Sequence, residues 1–260
     1  MNIKIVVATH KDYRMPTDPM YIPVQGGAAI KEALSYTGDN VGENISDKNL
    51  TYCELTVLYW AWKNLEADYI GLVHYRRYFQ GHWAKDRWDR IITKEEVEKC
   101  IHSSDIIVPE KRRYLIETIY GHYAHSHYPQ DLAITRDVVK EICPDYLPEF
   151  DEIMRKRSAH MFNMFIMCHD ILDEYCTWLF GILQEVEKRL DITEYSMFDQ
   201  RVFGRLSELL LNVWLTHNNK ICVKLPVVHI EGENLPEKIF KLIRRKIRPE
   251  HENDQDEFYD

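Results

Sequence analysis

The sequence predicts an α/β fold with a mostly parallel central sheet and a helix-rich C-terminal half. Three observations predict it. Short apolar runs near 3–8, 69–73 and 105–108 alternate with helix-like segments. A polar loop follows each run, as expected where parallel strands end at a ligand crevice. Beyond residue 130 the apolar positions recur mostly at helical spacing.

The elements follow in order. Ile3 to Ala8 is a β-branched strand that ends in Thr9-His-Lys-Asp-Tyr13. Residues 14–50 are rich in Pro, Gly, Asp and Asn, and Gly26-Gly27 and Gly38 to Gly42 mark turns. Such a long irregular stretch is uncommon unless it is functional. Asn49 to Leu65 reads as a helix, with Leu50, Leu55, Leu58, Trp62 and Leu65 on one face and Ser46 or Asn49 as its cap. The strand Tyr69 to Val73 stops at His74. A helix over Lys94–Ser103 leads to the strand Asp105–Pro109 and a charged loop, Glu110 to Arg113. Helices are predicted over Leu132–Ile142, Tyr146–Lys156, Asp170–Leu190 and Gln200–Thr216. Met161 to Met167 reads as a buried strand, and Ile221–Leu225 and Val227–Ile230 as short closing strands. One domain over 1–235 is expected, followed by a separate segment, 236–260.

Composition narrows the function classes. At 260 residues the chain can bury a substantial core in one domain. Apolar content of 45% and charged content of 29% are those of an ordinary globular protein. A net charge of -9 argues against general nucleic-acid binding, which needs a basic surface. The six Cys form no Cys-x-x-Cys pair and read as reduced thiols. With no signal-peptide pattern and no transmembrane-length apolar run, a cytoplasmic protein is expected. Sixteen Tyr and six Trp supply amphipathic rings that suit sugar clefts, cores and interfaces alike.

The densest chemistry is Asp68-Tyr-Ile-Gly-Leu-Val-His-Tyr-Arg-Arg-Tyr-Phe79. A strand ending in His74, Tyr75, Arg76 and Arg77 aims cationic donors at the crevice. Arginine's planar fork suits phosphate or carboxylate, so an anionic ligand such as a nucleotide diphosphate is the natural candidate. Pairing of Arg76 and Arg77 with local acids in a solvated loop is the competing reading.

Several segments together resemble the DUF4422 family, regarded as glycosyltransferases of bacterial capsule, exopolysaccharide and lipopolysaccharide gene clusters. They are Ala8-Thr-His-Lys, Gly38-Asp-x-x-Gly-x-Asn-Ile-Ser46, Tyr52-Cys-Glu-Leu-Thr56, the block ending at Phe79, His160 to Met167, and Arg201-Val-Phe-Gly-x-Leu-Ser-Glu208. The chain departs from the family pattern at Leu209, where an Arg is expected after Ser-Glu. The resemblance covers about 1–230. It implies a GT-A-like domain that transfers a hexose from a nucleotide sugar, a UDP-sugar, to a growing lipid-linked cell-surface polysaccharide. The alternative is a non-catalytic nucleotide-sugar or carbohydrate-binding component of an assembly complex.

Site candidates follow from that frame. Asp131, Glu208 and His160 are the catalytic candidates. Thr9, Lys11, Asp39, Asn44, His74, Tyr75, Arg76, Arg77, Asn163 and Arg201 are donor-binding candidates, and His127 faces the acceptor. Thr9 and Lys11 equally suit a plain surface loop. Asp39 and Asn44 also suit turn hydrogen bonds, although the resemblance puts a functional role slightly ahead, and His160 and Asn163 suit an ordinary strand entrance. No metal ligand is assigned. The Asp254-Gln-Asp256 motif lies in a polar tail, and His122, His125 and His127 do not share a helical face. Mn2+ or Mg2+ stays open through Asp39, Glu54 or another acid.

In Lys238-Ile-Phe-Lys-Leu-Ile-Arg-Arg-Lys-Ile-Arg248, Ile239, Phe240, Leu242, Ile243 and Ile247 share one helical face, with cations opposite. A basic amphipathic helix of this kind reads as a contact with an anionic membrane surface, which would place the protein peripherally at the inner face of the cell membrane. Packing of the apolar face onto the domain is the alternative, and the acidic tail beyond Glu250 opposes lipid binding.

Overall fold

The computed structural model describes residues 1–231, so the segment predicted as a basic helix at 238–248 lies outside the described residues. The chain runs through β1 (Ile3–Thr9), β2 (Tyr21–Gln25), β3 (Thr37–Gly38), α1 (Asn49–Tyr52), α2 (Leu55–Asn64), β4 (Tyr69–His74), β5 (Arg77–Phe79), α3 (Lys94–Ile101), β6 (Ile106–Pro109) and β7 (Arg112–Arg113). It continues with α4 (Ile119–Ser126), α5 (Pro129–Ile142), α6 (Leu147–Arg155), β8 (Ser158–Ala159), β9 (Phe165–Cys168), α7 (His169–Arg189), α8 (Val202–His217), β10 (Val223–Leu225) and β11 (Val227–His229).

The main sheet has the order β10-β6-β9-β4-β1-β2-β3, and β5 branches from the end of the interior strand β4, at His74, to pair with β11. β1 pairs in parallel with β2 and β4, β2 with β3, and β6 with β10, whereas β9 runs antiparallel between β4 and β6. The α/β fold with a mixed, mostly parallel sheet is therefore as expected, and all three principal strand runs form strands. Alternation along the strands sorts the side chains into two cores. Val6, Ala8, Ile70, Leu72, Phe165 and Met167 join the large helical layer. Ile3, Ile5, Val7, Val73, Ile107 and Ile166 face α3 and the β5 region. Gly71 is needed where β4 meets β9: a Cβ there would lie 2.9 Å from Ile166 Cγ1 and 3.0 Å from the Phe165 carbonyl.

Departures from the sequence reading have local causes. The single helix expected over 49–65 is broken, because Cys53 adopts φ 52 between α1 and α2. The irregular 14–50 stretch contains β2, whose Pro23 cannot donate to a ladder; it is tolerated because β3 pairs only with Val24 and Gln25. The strand expected over 161–167 is shorter, since Phe162 and Asn163 take φ 77 and φ 50 before β9 begins. Residues 119–126 form a helix capped by the Thr118 side chain, which accepts from Gly121 N at 3.0 Å. In α8, twelve of 16 residues are buried, including Leu206, Leu210, Val213 and Trp214. A helix apolar on nearly every face belongs at the centre of its layer, and removing Trp214 would cost about 3–5 kcal/mol.

Candidate functional site at the strand ends

β1 and β4 run side by side, with Ala8 opposite His74, so Thr9, His10 and Lys11 emerge next to the His-Tyr-Arg-Arg turn. Tyr75 is buried there and acts as a platform. The His10 ring meets it edge-on at 5.2 Å, Lys11 Nζ lies 5.6 Å from its centroid, and the Arg76 guanidinium lies 4.8 Å from it. Crowding by protein atoms, and then the charges of Lys31, Lys11, Arg76 and Arg201, push the His10 pKa down to about 4. Four cations from four separate segments thus converge on this histidine. Arg76 also pairs with Glu231 at 2.7 Å.

Beside this cluster lies a carboxylate pair. Glu208 on α8 accepts from the Phe162 backbone N–H at 3.0 Å. Burial, and then the charge of Glu54, push its pKa up to about 7, against the opposing pull of that N–H, Arg77 and Arg112. Glu54 in turn accepts from Asn163 Nδ2 at 2.6 Å. His74 Nε2 donates to the Phe162 carbonyl at 2.6 Å, and burial, with Arg77 and Arg201, keeps the ring neutral against the pull of Glu54. The Arg77 guanidinium stacks 5.0 Å from the Phe162 centroid, and its buried Nε has no hydrogen-bond partner among the described residues. Two consecutive non-glycine residues in the left-handed region are strained. Here they are held by His74 and Glu208 on Phe162, and by Glu54, Gly204 O and Ser207 on Asn163.

The candidates from sequence separate into two groups. His74, Arg77, Asn163 and Glu208 come together around Phe162. Tyr75, Arg76, Lys11 and Arg201 surround His10, with Arg201 Nε also donating to Cys53 Sγ at 3.2 Å. Other candidates are engaged in holding the fold. Thr9 Oγ1 donates to the Lys11 carbonyl at 2.7 Å, which shapes the loop. Asp39 is fully buried and accepts from Gly27 N, Ala28 N, Ser46 Oγ and Thr56 Oγ1. Asn44 closes a turn with Gly42 and Ser46. Asp131 is buried, with its oxygens accepting from Tyr195 at 2.7 Å and Tyr123 at 2.8 Å; desolvation raises its pKa. His160 is buried against the Pro109 carbonyl, and burial pushes its pKa down to about 4. His127 meets Asp199 at 3.2 Å and is likewise held neutral by burial.

Lys31 carried no motif and was not anticipated; its Nζ reaches Asn49 Oδ1 at 2.6 Å. Glu54 had a signal, an acid directly ahead of an apolar helix within Tyr52-Cys-Glu-Leu-Thr56. Among the acids considered for a metal, Asp39 has its oxygens filled by donors. Glu54 and Glu208 remain, which suits Mg2+ or Mn2+ shared with substrate phosphates, an arrangement that needs only one or two carboxylates. Among the described residues no group of three or more His, Cys, Asp and Glu converges. No helix of the described residues is long and apolar enough to cross a membrane.

The architecture is that of a glycosyltransferase fold. The chain superposes on the apo structure of WbbM, a bifunctional glycosyltransferase, with a TM-score of 0.82 and 27% identity, over 90% of this chain and 46% of that one. It therefore spans less than half the length of that protein. The chain belongs to the DUF4422 family, described as a domain of unknown function, whose model matches residues 4–219. No curated protein matches it.

Proposed function

We propose that the chain is a glycosyltransferase that moves a hexose from a UDP-sugar to a lipid-linked polysaccharide acceptor of a capsule, exopolysaccharide or lipopolysaccharide. The observation that carries this reading is Glu208. It is a carboxylate titrating near 7 that faces Glu54 and is flanked by Arg77 and the cation cluster at the strand ends. A general base works best with a pKa near the working pH. Glu208 takes the proton of the acceptor hydroxyl as its oxygen bonds to the anomeric carbon. The bond from that carbon to the diphosphate breaks, and the departing charge is met by Arg77, Lys11, Lys31 and Arg201. Preformed cations aimed at developing charge supply a large part of such catalysis. Glu54, His74 and Asn163 hold the Phe162 turn that positions Glu208. A divalent cation, where present, would sit on Glu54 and add its charge to the diphosphate.

The test is calorimetric titration with UDP and a panel of UDP-sugars, followed by UDP release with and without acceptor, each with and without a chelator. Binding followed by turnover is the expected result. Binding without turnover on any donor and acceptor would overturn catalysis in favour of a nucleotide-sugar-binding assembly component.

A further inference from the structure

The ribbon beside the site carries an exposed feature that the proposed reaction does not use. β7 and β8 pair antiparallel, with Arg112 opposite Ala159 and Arg113 opposite Ser158. Tyr114 N then donates to the Arg157 carbonyl, and Ile119 N to the Lys156 carbonyl, each at 2.8 Å. The two bonds clamp both ends of the segment between them, so 115–118 projects as a finger. At its tip Leu115 is 87% exposed and Ile116 67%, with Tyr120 at 48% just behind. Exposed apolar groups rimmed by polar residues are the pattern found at protein and membrane interaction sites.

Cations frame the tip. Lys111, Arg112 and Arg113 lead into it on one strand, and Arg155, Lys156 and Arg157 flank it on the other side. The nearby acids are mostly engaged: Glu152 pairs with Lys156 at 2.6 Å, and Glu117 meets His125 at 3.1 Å and His122 at 3.5 Å, leaving Glu110 exposed. The Lys111 pKa is lowered first by partial burial and then by Lys156 and Lys224, so the cations crowd one another. This basic collar is a local exception on a chain of net charge -9. An apolar tip ringed by Lys and Arg is complementary to an anionic bilayer, where apolar groups enter the boundary below the headgroups and cations meet the phosphates.

We propose that the 114–120 finger docks the protein on an anionic phospholipid surface, with Leu115 and Ile116 entering the bilayer boundary. The finger adjoins the candidate base: Tyr114 Oη donates to Met161 Sδ at 3.6 Å, and the next residue, Phe162, donates its N–H to Glu208. Docking there would bring the strand-end site to the membrane plane. The inference does not depend on catalysis and would hold equally for a binding component.

The experiment is co-sedimentation of the full chain with phosphatidylcholine vesicles containing a quarter phosphatidylglycerol, and with pure phosphatidylcholine vesicles, at low and high salt. Wild type should bind the anionic vesicles at low salt and release with salt. Leu115→Ser with Ile116→Ser should lower partitioning by roughly tenfold or more. Arg112→Gln with Arg113→Gln should lower it by about the same factor and flatten the salt dependence. Unchanged melting temperatures confirm that both double variants fold. Failure of the wild type to bind anionic vesicles, or equal binding to neutral ones, overturns the proposal. So does wild-type binding by Leu115→Ser with Ile116→Ser, which would place docking in another segment such as 236–260.

Discussion

Two polar regions sit side by side beyond the strand ends and are built on opposite terms. In the loop organised by Asp39, each carboxylate oxygen accepts two donors, and Asn49 links Lys31, Cys53 and Thr56. Around Phe162, by contrast, two acids face each other, a buried guanidinium nitrogen has no partner among the described residues, and two residues hold left-handed backbone. The first region is satisfied and the second is frustrated. Burying a satisfied network stabilises one structure. Keeping an unsatisfied one costs stability and persists where a ligand or a reaction completes it.

That contrast predicts which region loses activity and which loses stability. The largest effect belongs to Glu208→Gln, expected to lower turnover by about 10²–10⁴-fold, the scale of a lost general base, with little change in melting temperature. A variant with wild-type UDP release would erase the distinction. Next is Asp39→Ala, which removes the acceptor of four donors, three of them buried and Ala28 N half-buried. At about 1 kcal/mol or more for each donor left unpaired, it should destabilise the fold by about 4 kcal/mol. For a chain of this size that lowers the melting temperature by roughly 10 °C. A thermal melt matching wild type would show that the loop does not depend on its carboxylate.

Arg77→Ala should lower kcat by about 10²-fold, as when one charge-stabilising donor is removed, and should leave the melt close to wild type. A change in KM alone would assign Arg77 to ground-state binding instead. A smaller, graded effect is the pH dependence. With Glu208 titrating at about 7, kcat/KM should rise with pH through that value and level off above it. The sign for stability is opposite. The folded state holds this proton more tightly than the unfolded chain, so stability falls as pH rises from the ordinary Glu range through about 7, and Glu208→Gln should flatten that fall. Rates constant from pH 5 to 8 would remove Glu208 as the base. The smallest effect is expected for Asn44→Ala, a half-buried turn residue, within about 0.5 kcal/mol of wild type; a tenfold loss of UDP affinity would return it to the donor site.

The strand runs were legible because a buried parallel strand needs a short apolar stretch, and each is followed by polar residues that meet solvent or ligand. β2 was not, since Pro23 and its neighbours carry no strand-like alternation. The break at Cys53 was invisible for a different reason. Apolar periodicity continues through it from Leu50 to Leu58, and the groups that meet Cys53 there include the side chains of Asn49 and Thr56 on its carbonyl and of Arg201, distant in sequence, on its Sγ. Within the site, His74 and Arg77 could be placed because their positions follow from the end of one strand. His160 and Asp131 have the residue types of catalytic groups; only the structure shows that both are buried, with hydrogen bonds to Pro109 O and to Tyr123 and Tyr195.

By itself, the sequence determined where the three principal strands β1, β4 and β6 lie, that β4 ends in His-Tyr-Arg-Arg, and the family to which the chain belongs. These properties rest on local patterns within a few residues. Only the tertiary structure decided that Glu54, Asn163 and Glu208 meet around one strained turn, and that Asp39 is enclosed by donors. The partners lie far apart in the chain, as Glu54 and Asn163 do at a separation of 109 residues. A carboxylate's chemistry is set by its burial and by its neighbours' charges, and no local pattern encodes those before the chain has folded.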